Sequence, residues 1–406
     1  MGVTETAMTR PAEFHIEKIR AAAAQALAPL KPVDEQSFAP KDMLFSARRT
    51  NAGQQLPEPY LVYFLLVDLL SYRDLGMWEK LAYSIPVDFN GTAYLVEHRK
   101  LGLGLFAADP STQEDDAKKI VRLIQKAVRA AHPYFDHLAN EAAEGSKLNV
   151  ENHARTLYGR FEYLRQLHRS KADAAEARKD ERIAKEIRDK NGRMHTQTIS
   201  FPARELKREA KWLGLSAVEA FFSWTEHVFI HIAILNGQCT TGKEVSLLAG
   251  ADWAEKFKAA LDIDDLETKA LYDELTVIRQ QLRNHVAHGA FGKDGQAFSF
   301  HSSAGAVPLL LPHRRNRESF RFGSGAELDP TQAFDTIARF ESHLWSGRRA
   351  RVRLYIQEYQ LPSILSMSAD GTYERARVSD QAMVDFMESL VTRINNAANM
   401  DWWIGE

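Results

Sequence analysis

The amino-acid sequence predicts a mainly α-helical protein with a small β component. Two long stretches, about 205–235 and 264–288, carry apolar residues at helical spacing. Strand-like runs are short and cluster at 83–106, around a strong Asn90-Gly91 hairpin signal. Three further apolar runs, at 297–300, 307–311 and 320–322, are only long enough for a small sheet.

Composition bounds this expectation. A chain of 406 residues can hold two or three domains with sizeable cores. Apolar residues make up 45% and charged residues 26%, a globular balance that argues against general disorder. Lysine plus arginine number 52 against 54 aspartate plus glutamate, a net charge of -2. Nucleic acid would therefore have to be held by a local basic patch. Cys239 is the only cysteine, which excludes an intramolecular disulfide framework and a cysteine-based zinc cluster and fits a reducing cytoplasm. Glu5, Arg10, Glu13 and Lys18 punctuate an N-terminus without an apolar stretch, so no signal peptide is expected. The run Tyr60–Val67 meets Asp68 too soon to span a bilayer. A cytoplasmic location without membrane association is the expectation.

Taken in order, 11–30 reads as an alanine-rich helix, followed by a proline-punctuated loop near 31–58 and a helix around 59–72. A meander follows, with strands at 83–89, 93–97 and 103–106. Asn90 and Gly91 both tolerate the positive φ of a tight hairpin. Pro86 cannot donate to a ladder, so its strand should lie at an edge or carry a bulge. Helices at 112–131 and 134–144 complete an N-terminal α+β unit, 1–145. Residues 146–200 read as a charged helical connector, with opposite charges four apart at Glu181–Lys185 and Arg182–Glu186. A solvated or bridging helix is favoured there over an RNA-binding arm.

A helical bundle is expected over 201–300. Leu215, Val218, Phe222, Phe229 and Ile232 form one face of its long helix, widened by Phe221, Val228 and Leu235, and Asn236-Gly237 ends it. A further helix fits 251–261. Asp264 and Glu267 form a capping box for a helix bearing Leu271, Leu275, Ile278, Leu282 and Val286, with Gly289 as the residue after its end. A C-terminal α/β extension, 301–406, adds the short strands, helices at 330–359 and 379–397, and a terminal Trp402-Trp403-Ile404.

The segment Arg283-Asn284-His285-Val286-Ala287-His288-Gly289 carries the chemistry. Asn284 and His288 lie about 40° apart on a helix, whereas Arg283 sits about 140° from His288. An RNA phosphodiester can be broken by its own 2′-hydroxyl, given a base for that hydroxyl, an acid for the 5′-oxygen and positive charge on the phosphorane. Histidine can transfer the protons and arginine can hold the phosphate oxygens, with no metal required. The structural alternative pairs Arg283 with an acid and lets His288 cap helix carbonyls; on spacing alone that is the more common arrangement.

Gln281–Gly289 resembles the signature of the HEPN superfamily: an arginine, a polar residue, then a histidine a few positions on. Its "RN…AHG" form is especially similar to Apea-like members, and the long preceding helix with Phe221–His227 suits that family's four- to five-helix bundle. The resemblance covers about 200–310. It implies a HEPN-like bundle and a metal-independent RNA endonuclease, needing no cofactor and working as a homodimer that brings two arginine–histidine pairs together. Such proteins often serve as toxins or antiviral effectors, and the superfamily also contains non-catalytic interaction modules. Toxins controlled by nucleotidyltransferase partners carry a tyrosine two places after the histidine; here Ala290 stands there, so that form of control is not expected. A regulatory protein partner of another kind, or a trigger sensed by 1–145, remains open.

Four further features complete the reading. Glu226 lies on a polar stripe, Ser216–Glu219–Ser223–Glu226, and either orients Arg283 or makes a structural ion pair. His227 and His231 have a zinc-compatible spacing but lack an evident third ligand, so structural histidines are favoured. Gly237–Glu244 imitates a phosphate-binding loop yet has Glu244 at the magnesium-binding position and follows a helix. Two basic runs could hold a phosphate backbone: Arg314, Arg315 and Arg317 after His313, and Arg348–Arg353. Phe320 and Phe322 beside the first run are expected as strand core.

Overall fold

The structure is a computed structural model describing residues 15–188, 194–288, 298–303, 305–310, 321–322 and 328–401. It is mainly helical with small antiparallel sheets. The chain divides into two compact units, one of 1–143 with 388–406 and one of 144–387. Residues 146–200, expected as a connector, fall inside the second unit, and 388–406, expected in a separate extension, fall inside the first.

The first unit is built on the meander. Strands Leu81–Phe89, Thr92–Arg99 and Gly102–Ala107 pair antiparallel, flanked by the two-residue strands Lys31–Pro32 and Arg48–Arg49. Asn90 (φ 54) and Gly91 (φ 84) make the expected turn, the positive φ that Gly and Asn bear most cheaply. Pro86 pairs with Leu95 on one side, while the short outer strand reaches only Val87 and Asp88, so its missing N–H costs no ladder bond; an irregularity sits at Leu81/Tyr83. Helices Ile16–Leu27, Pro110–Ala130 and His132–Glu144 cover one face, burying Leu27, Ile120, Ile124 and Phe135 with Ile85, Val87 and Val96. The run expected as a helix at 59–72 is a short α-turn, Pro59–Tyr63, widening into a π-helix, Phe64–Leu69.

The second unit is organised by one helix, Pro202–Leu235. Among the described residues it alone is long and apolar enough to cross a bilayer, and 72% of its most apolar window is buried inside the protein, so its apolar surface is spent on the core. Helix Ala154–Ala177 runs along it, and helices Trp253–Ala260, Leu266–His288 and Pro330–Leu344 pack around its second half. Phe161, Phe221, Trp224, Phe229, Trp253, Phe257 and Phe340 are all buried there, meeting edge-to-face or tilted. The helix stops at Asn236-Gly237 as expected. Gly237 has φ 78, the Gln238 N–H donates to the Ala233 carbonyl at 2.9 Å, and Ser368 Oγ donates to the Ile234 carbonyl.

Three expectations are corrected. The helical reading of the connector, 146–200, holds only for Ala154–Ala177; Ile183–Arg188 and Met194–Ser200 form an antiparallel hairpin instead. Charge pairs at i,i+4 are worth only a few tenths of a kcal/mol, too little to carry a helix through a stretch with almost no apolar face. The cap of Leu266–His288 is Asp265, whose carboxylate accepts from the Thr268 N–H and hydroxyl at 2.8 Å; Asp264 instead accepts no such bond and lends its N–H to Asp262. The helix expected over 330–359 breaks after Leu344, resuming as Arg349–Arg353 and a π-turn, Leu354–Glu358. Strands Phe298–Ser302, Gly305–Leu310 and Arg321–Phe322 form the small expected sheet.

Gly214 marks the tightest approach to the central helix. A Cβ there would lie 2.5 Å from Pro330 Cβ and 2.8 Å from His168 Nδ1. Gly214→Ala is therefore expected to destabilise the protein by roughly 1–3 kcal/mol through overpacking, measured as a lowered midpoint of chemical unfolding; an unchanged or raised midpoint would refute this packing.

Candidate functional site

The motif helix Leu266–His288 buries Leu271, Leu275, Ile278 and Leu282, the apolar face its sequence spacing predicts. A second link holds it in place: Glu274 accepts from Thr336 Oγ1 at 3.0 Å and pairs with Arg339 on helix Pro330–Leu344. With that face turned inward, Arg283 is exposed, and among the described residues no carboxylate pairs with it. The helix continues through Asn284 and His288, which sit one turn apart. Their side chains lie outside the described residues, as do Gly289 and Ala290, the run His313–Arg317 with Arg314, Arg315 and Arg317, Phe320, and Trp402–Ile404.

Glu226 reaches the motif helix from the central helix, but not at Arg283. Its carboxylate accepts from Lys256 Nζ at 2.7 Å and lies 3.5 Å from Arg279 Nη2, one turn before Arg283. Lys256 is nearly buried, with a side chain 7% exposed, so this carboxylate is the counter-charge a buried ammonium requires. Of the two readings of Glu226, the structural ion pair is the observed one, and the role of orienting Arg283 is corrected. Arg279 and Lys256 were not singled out from the sequence. The available signal was the i,i+4 relation of Arg279 to Arg283, which puts both on one face.

The two histidines expected to be structural form a closed chain of hydrogen bonds. His227 Nε2 accepts the His153 backbone N–H at 2.9 Å, so it carries no proton. His231 Nε2 lies 3.1 Å away. His231 Nδ1 lies 2.7 Å from Ser363 Oγ, and a backbone hydrogen bond ties the same imidazole to Glu151. Burial pushes His227 down to about 4 and His231 to about 3. The nitrogens that would face a zinc ion already face each other.

The false phosphate loop resolves equally simply. Thr241 caps helix Gly242–Gly250, and Glu244 returns its carboxylate to the Thr240 and Thr241 N–H groups. The residue that disqualifies the loop for magnesium is the reciprocal half of a capping box. The second basic run is committed internally as well. Arg349 donates to the Leu344 and His343 carbonyls, Arg351 to those of Arg377 and Val378 and to Asp380, and Arg353 pairs with Glu358. Its reading as a phosphate-binding surface is corrected for these three arginines, which close helix ends and tie loops together.

One perturbed group escaped the sequence altogether. Glu341 lies in a cavity of about 320 Å³ with Tyr158, Trp345 and Gln357, and burial pushes its carboxyl up to about 7. Nothing in its local spacing separates it from a surface glutamate.

Comparison of the chain with protein-family models, curated proteins and solved structures found no match.

Two measurements check this geometry. Glu226→Ala should cost roughly 1–3 kcal/mol in unfolding free energy by stranding Lys256, with Glu226→Gln recovering part of it because an amide oxygen can still accept; a neutral Glu226→Ala would refute the pair. The histidine chain makes stability pH-dependent. Below the ordinary value of 6.5 the unfolded chain binds protons that folded His227 and His231 refuse, so their contribution is present above 6.5 and lost as pH falls toward 4. Glu341 acts oppositely, its contribution being lost as pH rises through about 7. The readout is therefore a difference: between pH 7 and 4.5, His231→Gln should lose less stability than wild type, and parallel curves would contradict the network.

Proposed function

We propose that this chain is a metal-independent RNA endonuclease of the HEPN type, built on the helical second unit. The observation that carries the reading is Arg283: exposed, unclaimed by any carboxylate among the described residues, and on one continuous helix with Asn284 and His288. In a chain where Glu226, Lys256, Arg279, Arg349 and Arg351 are all engaged, an uncommitted guanidinium at the motif is the group available to a phosphate.

The 2′-hydroxyl attacks the adjacent phosphorus as its proton passes to a base. The bond from phosphorus to the 5′-oxygen then breaks, and that oxygen takes a proton from an acid. His288 carries these transfers, Arg283 offsets charge on the phosphorane, and Asn284 positions phosphate or imidazole. Products carry 2′,3′-cyclic phosphate and 5′-hydroxyl ends. One histidine cannot be base and acid in the same instant, which favours a homodimer joining two arginine–histidine pairs. The biological role consistent with this chemistry is a cytoplasmic toxin or antiviral effector, with the first unit open to a trigger or regulatory protein.

A non-catalytic HEPN-type interaction module is the second reading. It is favoured by one observation, that Glu226 is bound to Lys256 and Arg279 and lends Arg283 no support.

The test is RNA cleavage in excess chelator. Wild type should cut and leave cyclic-phosphate ends, while His288→Ala and Arg283→Ala should each lose about 10²–10⁴ in rate. Equal rates for wild type and His288→Ala, or loss of cleavage on chelation alone, would sink the mechanism.

A further inference from the structure

We propose that the amino-terminal half of the central helix, with the base of the adjoining hairpin, is a landing surface for single-stranded nucleic acid. Arg182 and Arg204 both stand over the Phe201 ring, at 5.9 and 4.3 Å from its centroid. One turn on, Arg208 stands 5.3 Å over the ring of Trp212, which is 57% exposed. Arg204, Arg208 and Trp212 recur every four residues and so share one face of the helix, over about 12 Å at 1.5 Å per residue. Lys207 is exposed beside them.

The chain as a whole carries a net charge of -2, so cations must be concentrated locally to hold a polyanion. They are concentrated here. Residues 204–211 hold four cations against Glu205 and Glu209, and Glu209 is engaged by Lys171 at 2.6 Å. None of Arg182, Arg204 and Arg208 has a carboxylate partner among the described residues, in contrast to Arg351 and Arg353. What sets this face apart is the alternation of guanidinium forks with aromatic faces, the pattern that grips phosphates while bases stack. Stacking tolerates any base, so the surface should be indifferent to sequence and confined to unpaired strands.

The inference rests on the RNA-cleaving reading only for the identity of the natural occupant. The binding itself is tested with strands that cannot be cleaved through their own 2′-hydroxyl. Full-length protein is titrated into fluorescein-labelled dT20 and 2′-O-methyl U20 while anisotropy is followed at several salt concentrations. Wild type should bind both, with log affinity falling against log salt at a slope of about -2 to -3, as three or four phosphate contacts at roughly 0.7 each require. Trp212→Ala should weaken binding about tenfold with the slope retained, and Trp212→Phe should recover much of it. Arg204→Glu with Arg208→Glu should weaken binding more and flatten the slope. All these positions are exposed, and thermal melts confirm that the variants fold. Variants binding as wild type does, or wild type failing to bind at 50 mM salt, where the Debye length is about 14 Å, would overturn the surface. Variant-sensitive binding without any cleavage by wild type would overturn the nuclease alone, and full cleavage by variants that bind normally would overturn the surface alone.

Discussion

Everything in the second unit follows from the need to bury the second half of the central helix. From Ala217 to Leu235 it is apolar on nearly every side, so four other helices must cover it. Each polar group it carries inward then needs an internal partner, because water cannot supply one. Thr225 donates to the Phe222 carbonyl and accepts from Trp253 Nε1 at 3.0 Å. His231 is closed between Ser363 and His227. Glu226 takes Lys256 and Arg279. These partners come from 153, 253–256, 279 and 363, so satisfying one helix fixes the placement of most of the others.

The same constraint sorts the cations of the unit. Arginines near the core are recruited to carbonyls and carboxylates: Arg349 and Arg351 at helix ends, Arg279 at Glu226, Arg339 at Glu274. Those on outward faces have no carboxylate partner among the described residues, Arg283 on the motif helix and Arg204 and Arg208 on the exposed start of the central helix. Density of positive charge along the sequence is therefore a poor guide to a phosphate-binding surface. The densest described run, Arg348–Arg353, is largely consumed in holding the fold.

How much was legible in advance depended on how local the cause was. The Asn90-Gly91 turn, the stop at Asn236-Gly237 and the apolar face Leu271–Leu282 depend on φ preferences and helical periodicity, and each appears where the residues put it. Pro86 showed that its strand must leave an edge free, and the two-residue neighbour does so. The hairpin at 183–200 was missed because charge pairs favour a helix weakly in any case. The choice of Asp265 over Asp264 as cap turns on one residue of backbone path, a difference smaller than sequence patterns define. The motif itself was visible as a spacing, whereas Arg279, Lys256 and Glu341 acquire meaning only from what lies across from them.

The sequence by itself determined the fold class of the protein, the course of the central and motif helices, the meander and its turn, and the presence of arginine, amide and imidazole on one short helical segment. These are consequences of periodicity and of individual residue stereochemistry, which act within a few residues. Only the tertiary structure decided which charges are spent and which are free. Glu226 could reach Arg279 or Arg283 by spacing, and the position of Lys256, thirty residues away in sequence, settles that it takes the former. An ion pair is a property of two surfaces brought within a few ångströms, and Coulomb energy falls with a distance that no single segment contains.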